Sequence, residues 1–521
     1  MSRTIKYPVD TANFQKIRDK GYVYVDKTEY IHKLTDKGTY YFLARPRRFG
    51  KSLFLDTMAE YFKGNRELLK GLAIDRLQPE EWEKYPVLRF NLSGVAYNEK
   101  NILNSTLTSA LVAYERNYGI EVKADSLYTH FLQLIEEIYK TEGKKVVILI
   151  DEYDAPLTSA IGKPELQEIY REELHGFYSV LKKAEVYIQF CFLTGVTRYG
   201  KVSVFSGLNN LNDITFDDRY AGICGITSEE LHKYYDEGVE AISLENNTSK
   251  EEIYANLRFH YDGYHFSSSM LDIYNPFSIN HFFDRKEFSD YWCRSGVPTI
   301  LSKSLLENDY DLEKLIDVKV KEESISNLSI QNMQPVPLFY QTGYLTLKGY
   351  DPRRKLYTLG YPNREVEDGI INNILNYYTG DKKNDDALIY DLQDALTDGE
   401  PLKFIEILSS FLSSIPNQLH KYVGNYENYY HTIFYCITKL LGLDVEAEYS
   451  TSEGFIDILI KTDKYIYIIE LKLNGGAEDA MRQIEERHYA APFATDSRTL
   501  IKIAIGFSKE THTISSYLVE G

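Results

Sequence analysis

The hydrophobic positions of this chain fall into short continuous runs separated by longer amphipathic stretches. Tyr40–Ala44 (YYFLA) is an apolar, aromatic run that enters a turn, and apolar-periodic positions resume after Gly50-Lys51-Ser52, predicting strand, turn and helix. Lys144–Pro156 (KKVVILIDEYDAP) carries an apolar run closed by Asp151 and Glu152, the pattern of a buried parallel strand with acidic residues at its carboxyl end. Val186–Thr194 (VYIQFCFLT) predicts a third strand. From Tyr40 to about Thr227 these runs alternate with amphipathic stretches, which predicts a parallel sheet built from βαβ units. Ser228–Asn308 reads as mainly helical, with Thr227 as N-cap and Glu229 and Glu230 in the first turn. Further on, Glu446–Ile460 predicts a hairpin with Ser452-Glu453-Gly454 as its turn. Lys464–Leu473 predicts another strand, and Tyr426–Leu441 a helix ahead of the hairpin.

The first strand, turn and helix have the layout of a phosphate-binding loop. A glycine lets the backbone curl so that its N–H groups and the helix N-terminus face an anion; the lysine reaches the outer phosphates and the serine binds Mg²⁺. The loop reads Arg-Pro-Arg-Arg-Phe-Gly-Lys-Ser, with Arg45 where the usual G-x-x-x-x-G-K-[ST] (Walker A) pattern has glycine. Asp151, at a strand end where open α/β sheets place ligands, is a second Mg²⁺ ligand beside Ser52, and Glu152 is the candidate to polarise the attacking water. Thr194 and Arg198 close the third strand, where polar and cationic groups sense a γ-phosphate. The candidate nucleotide contacts are therefore Arg47, Arg48, Phe49, Gly50, Lys51, Ser52, Leu53, Asp151, Thr194 and Arg198.

These residues also carry a resemblance. Tyr22–Thr28 (YVYVDKT), Arg45–Ser52 (RPRRFGKS), Leu149–Asp154 (LIDEYD) and Leu193–Arg198 (LTGVTR) resemble the bacterial AAA-ATPase-like family. Tyr261–Phe266 (YDGYHF), Tyr274–Phe277 (YNPF), Tyr340–Leu345 (YQTGYL) and Gly360–Val366 (GYPNREV) extend the match along the whole chain. The resemblance implies an α/β P-loop NTPase fold that binds ATP with Mg²⁺, makes Arg45 typical and not a sign of decay, and sets YVYVDKT beside the adenine. The expected domains are an ATPase over 1–227, a helical lid over 228–308, a connector over 309–363 and a last domain over 364–521. The connector's short helices and two-strand hairpin resemble a winged helix; its other reading is a piece that only packs the lid onto the next domain.

The last domain carries a second signature. Alternation along Lys464–Leu473 puts Glu470 and Lys472 on one face of the strand, and Asp457 stands on the strand before it. Two carboxylates of this kind hold Mg²⁺ or Mn²⁺ against a scissile phosphate, and a lysine steadies the attacking water. The catalytic candidates are Asp457, Glu470 and Lys472, with Asp457 and Glu470 as metal ligands. The arrangement resembles the PD-(D/E)xK nuclease, restriction-endonuclease-like α/β fold. Gln483 and Tyr489 resemble its helix motif at longer spacing than Q-x-x-x-Y, and Glu427 and Glu448 are alternative ligands; His431 lies on the same helix as Glu427. A nuclease-like fold that binds DNA or protein without cutting is the competing expectation, in a switch that turns ATP over slowly.

Composition narrows the field. At 521 residues the chain should hold three or four domains, and no segment approaches the roughly 18 apolar residues of a membrane span. The start lacks a signal-peptide core, and the four cysteines are too far apart for a zinc site or a disulfide framework, so a cytoplasmic protein is expected. A net charge of −18 disfavours unspecific coating of nucleic acid but leaves room for a local basic groove. The expected partners are ATP and nucleic acid, DNA rather than RNA; a defence or mobile-element role and homo-oligomeric assembly are compatible with the chain, and no membrane is involved. Forty-five tyrosines sit mostly in Asn- and Lys-rich surroundings, a sign of genome composition rather than of a stacking surface.

Overall fold

The three apolar runs form the centre of a five-stranded sheet, all of whose pairings are parallel. Its strands are β1 (Tyr40–Ala44), β2 (Val87–Asn91), β3 (Val146–Asp151), β4 (Ile188–Gly195) and β5 (Asn212–Asp213), in the order β2-β3-β4-β1-β5. Every residue of β1 and β3 is buried, which is why these runs are continuous and not alternating. The computed structural model describes residues 5–198, 204–295, 298–326, 334–380, 386–416, 425–473, 475–508, 510–511 and 513–521. β4 starts later than its sequence suggests. The chain leaves the helix Pro164–Lys183 through a 3₁₀ turn at Glu185–Tyr187, which leaves Val186 exposed and outside the sheet.

By its internal contacts the chain divides into two compact units, residues 1–295 with 317–366, and residues 296–316 with 367–521. The first unit thus takes in most of the stretch expected as a lid and most of the connector. The helix Ser228–Asn246 begins with a capping box: Thr227 Oγ1 accepts from the Glu230 N–H at 3.2 Å, and Glu230 returns a carboxylate oxygen to the Thr227 N–H at 2.8 Å. Its apolar stripe of Leu231, Tyr235, Val239 and Ile242 packs with Leu257, Tyr261, Phe282 and Phe283 into one core. Two short strands, β6 (Ile226–Thr227) and β7 (Ile273–Tyr274), pair antiparallel at its base.

The hairpin of the connector is present, as β9 (Thr346–Asp351) and β10 (Leu356–Gly360), with β8 (Lys319–Val320) completing an antiparallel sheet of order β8-β10-β9. The helix Pro335–Thr342 before it is packed on the parallel-sheet region. Gln341 accepts from the Arg198 N–H at 2.8 Å, and Tyr340 stacks on Phe216. These contacts tie the helix to the parallel-sheet region of the first unit.

The second unit is built on a mixed sheet, β11 (Asp444–Ser450), β12 (Phe455–Lys461), β13 (Tyr465–Leu473), β14 (Thr499–Phe507) and β15 (Ile514–Glu520), paired in that order. Only β13 and β14 are parallel. The crossover between them is the helix Ala477–Glu486, whose Ala480, Met481 and Ile484 cover Ile456, Leu459, Ile466 and Ile468 of the sheet. Many tyrosines prove to be core residues. Tyr41, Tyr97, Tyr170, Tyr429 and Tyr467 bury their rings and donate their hydroxyls to the backbone carbonyls of Leu34, Leu92, Glu99, Tyr378 and Leu396. Among the described residues no helix is long and apolar enough to cross a membrane.

Candidate functional site

The carboxyl ends of β1, β3 and β4 meet at one edge of the parallel sheet. β4 lies between the other two, so the loop after β1 and the acidic end of β3 are separated by one strand. The loop curls through Arg48 at φ 67° and Gly50 at φ 90°, both in the left-handed region, and a Cβ on Gly50 would meet nothing within 4 Å. Gly50 caps the helix Lys51–Phe62 with no side-chain hydrogen bond, so the first N–H groups of that helix stay available to an anion.

Lys51 is 5% exposed, not solvent-facing as a loop lysine would be. Its ammonium is turned back onto its own loop and donates to the carbonyls of Arg45 and Pro46, each at 2.9 Å. Burial pushes its pKa down, against the pull of Asp151 and Glu152. Arg45 is buried and structural. Its guanidinium donates to the carbonyls of Ala44 and Thr215 at 2.9 and 2.8 Å and lies over the Phe266 ring. An arginine at this loop position therefore ties the loop to the chain after β5, a link that glycine could not make. Phe49 is fully buried edge-on to Tyr264 and Phe266. Arg47 and Arg48 are exposed, Arg48 over the ring of Phe277. Beside Gly50 an apolar pocket is lined by Val23, Val25, Leu53, Ile226 and Pro276, which puts part of the YVYVDKT segment next to the loop.

Asp151 is fully buried at the end of β3. One carboxylate oxygen accepts from the Thr194 hydroxyl at 2.7 Å, and the other has no donor. A buried carboxylate oxygen without a partner is costly unless a cation or its water serves it, so this residue fits a Mg²⁺ ligand. Ser52 is half-buried at the first turn of the loop helix. Glu152 stands at φ 51°, a conformation rare outside glycine, and burial raises its pKa. Arg198 is held by an ion pair with Asp213 and by the Ser326 hydroxyl. The geometry thus uses Thr194 to orient Asp151, and commits Arg198 to neighbours of its own.

Asp154, not singled out by the sequence pattern, organises the end of β4. It accepts from the Val196 N–H at 3.1 Å and from the Thr197 N–H and hydroxyl at 2.7 Å each. Gly195 is needed there because a Cβ would come within 2.5 Å of the Tyr153 ring.

In the second unit, Asp457 on β12 accepts from the Leu471 N–H of β13 at 2.7 Å. Glu470 is fully buried; one oxygen accepts from Lys472 Nζ at 3.2 Å and from the Gln483 amide, and the other has no donor. Burial and the nearby Asp457 charge raise the Glu470 pKa to about 7, with Lys472 opposing. Gln483 also donates to the Tyr489 hydroxyl at 3.3 Å. The helix ends at Glu486, and the turn after it brings Tyr489 back to a distance that a continuous helix would need closer spacing to reach. Asp457 and Lys472 line a cavity of about 220 Å³ together with His431 and Glu448. Glu448 lies between Ala447 and Tyr449, which pair with Ile458 and Ile456 on either side of Asp457, and has φ 47°. The side chain of Glu427 lies outside the described residues.

Residues 8–205 match a family model described as "Predicted AAA-ATPase", and residues 425–517 match one for the PD-(D/E)XK nuclease superfamily. Along its full length the chain is 32% identical to a protein of Azotobacter chroococcum mcd 1, covering 99% of it, whose printed name is "Uncharacterized protein in vnfD 5'region". The chain belongs to the AAA-ATPase-like family. It joins an AAA-ATPase-like region to a nuclease-superfamily region, the layout expected from the two signatures. In this AAA-ATPase-like protein the residues that sequence reasoning missed, Asp154 and Glu313, act through partners far away in the chain. Glu313 lies beside His431, its carboxylate 2.9 Å from Nδ1. Asp154 closes the LIDEYD motif with no role read from it, and Glu313 sits in no motif that spacing would reveal.

Proposed function

We propose that the protein is a cytoplasmic Mg²⁺-dependent ATPase whose second unit is a metal-dependent nuclease acting on DNA. In the first unit the loop N–H groups, Lys51 and Ser52 take the phosphates and the pocket at Val23 and Val25 takes the base. Lys51 must leave the carbonyls of Arg45 and Pro46 to reach a γ-phosphate. Asp151, oriented by Thr194, holds the ion or its water, and Glu152 accepts the proton of the attacking water. When bound, the divalent ion neutralises charge developing on the phosphoryl oxygens.

In the second unit Asp457 and Glu470 form the ion's anchor, and Lys472 steadies the attacking water. The observation that carries this reading is Glu470, a fully buried carboxylate that is held on one oxygen and left bare on the other beside Asp457. A second reading, a nucleotide switch with a non-cleaving second unit, draws on the closed state of Lys51. Purified full-length protein should nick or cut plasmid with Mg²⁺ or Mn²⁺, and Asp457→Ala should not. Wild-type protein that leaves DNA and RNA intact with both ions, with and without ATP, favours the switch.

A further inference from the structure

The apolar pocket beside Gly50 has few polar side chains, and most of them are spent on neighbours. Tyr24 pairs its hydroxyl with that of Thr57 at 3.2 Å. Lys27 donates to the Gly222 carbonyl at 2.7 Å and to Glu230 at 2.6 Å. Asn280 keeps one group free. It is 9% exposed and lines the pocket, and its Oδ1 accepts from the Tyr235 hydroxyl at 2.8 Å. Its amide nitrogen has no hydrogen-bond partner among the described residues. The helix Pro276–Arg285 fixes this placement. Asn275 caps it through the Phe277 N–H, and Ile279, Phe282 and Phe283 pack into the core that also holds Tyr235. The phenol has one hydrogen to donate and Asn280 Oδ1 takes it, so turning the amide over would strand that hydrogen. A largely buried amide nitrogen without an acceptor is costly unless a ligand supplies one.

We propose that Asn280 selects the base of the nucleotide: its amide nitrogen donates to a ring nitrogen of adenine, and Tyr235 is the positioning residue that aims it. The inference rests on the ATPase reading and adds to it the base selectivity of that site. Adenine offers ring nitrogens that accept and carries polar hydrogens on its amino group alone. Guanine also accepts, but it brings hydrogens at both N1 and its amino group. The side chains of Tyr24, Lys27 and Asn280 offer those hydrogens no free oxygen. A buried site that leaves a ligand's polar hydrogens unpaired rejects that ligand. Asn280 lies outside residues 8–205, which match the ATPase family, so selectivity is set by the helical part of the first unit and not by the phosphate loop.

The test reads binding, not turnover. Full-length protein with Mg²⁺ is titrated calorimetrically with the non-hydrolysable analogues AMPPNP and GMPPNP, and the ratio of the two affinities is the measured quantity. Wild type should prefer AMPPNP at least about tenfold. Asn280→Leu, close in volume but unable to donate, should lose about tenfold in AMPPNP affinity and most of the preference. Asn280→Asp keeps an oxygen for Tyr235 and turns the free group from donor into acceptor, so it should bring the ratio to parity or reverse it. Tyr235→Phe keeps the packed ring but frees the amide to turn, and should lower the ratio about threefold. A general loss of structure lowers both affinities together and does not move the ratio. Should Asn280→Leu fail to fold, Asn280→Asp and Tyr235→Phe carry the test. A ratio that stays at the wild-type value in Asn280→Asp overturns the proposal. Wild type that binds both analogues equally sinks the base assignment alone, whereas wild type that binds neither sinks the ATPase reading and the assignment with it.

Discussion

The two candidate sites share a device and differ in readiness. Each centres on a fully buried carboxylate with one oxygen held by a neighbour and the other bare: Asp151 under Thr194, and Glu470 under Lys472 and Gln483. The lysines part company. Lys472 already lies on its carboxylate, whereas Lys51 is folded onto two carbonyls of its own loop. On the proposed reading the second site is thus arranged before a metal arrives. The first must exchange internal hydrogen bonds for phosphate, and a nucleotide-dependent change should start there.

The largest expected effects test whether the sites are independent. Asp457→Ala should abolish cleavage, a loss of at least about 10³-fold, while ATP hydrolysis persists. Lys51→Ala should abolish ATP hydrolysis and also lower stability by about 1–3 kcal/mol, because it leaves two buried carbonyls unpaired. Thermal melts and phosphate release measure the two parts of that claim. An alanine variant as stable as wild type would mean that the closed loop is not the resting state.

Glu152→Gln comes next. It should slow hydrolysis about 10²–10⁴-fold with nucleotide affinity kept, as read by single-turnover kinetics and equilibrium binding. Loss of binding would make Glu152 part of the metal's hold. Smaller again is Gln483→Ala, which removes a donor to Glu470. It should reduce metal affinity and cleavage about 10–100-fold, with added Mn²⁺ restoring much of the rate. A cut in rate that metal does not rescue would instead mark Gln483 as a substrate contact.

The smallest effect comes from a buried acid that lacks the shared device. Glu365 is buried, but both of its oxygens are occupied, one by the Ser278 hydroxyl at 2.7 Å and one by the Trp292 N–H. Burial raises its pKa to about 8. Its ordinary value is about 4.5, so the neutral form contributes its full stability below that value and loses it as pH rises to about 8. Glu365→Gln should therefore raise the melting midpoint at pH 8 by several degrees and change it little at pH 4.5. Added Mg²⁺ or Mn²⁺ should leave that difference unaltered, whereas a metal-dependent shift would show that occupied oxygens do not separate structural acids from ligands.

Local chemistry was legible along the chain. A turn between a buried strand and a helix, with glycine, lysine and serine in sequence, is defined by neighbours a few residues apart. The parity that sets Glu470 and Lys472 on one face follows from the two-residue period of a strand. The hairpin carrying Asp457 follows from its turn, and the capping box at Thr227 and Glu230 from a spacing of three. For the same reason the parallel sheet was legible from runs and breaks in hydrophobicity only as a class, and its strand order was not.

Partners distant in the chain were not legible. No local pattern tells that Lys51 is buried on its own loop, that Thr194 orients Asp151, or that Asp213 and Ser326 occupy Arg198. Gln483 and Tyr489 stand farther apart than the motif they resemble, and a turn at the end of the helix brings both to Glu470 or its amide partner. The sequence by itself determined which functional groups exist and which strand ends carry them, because those depend on φ/ψ preference and hydrophobic period. Only the tertiary structure decided which oxygens stay bare and which cations are already engaged, because hydrogen bonds and desolvation depend on what chain closure brings within about 3 Å.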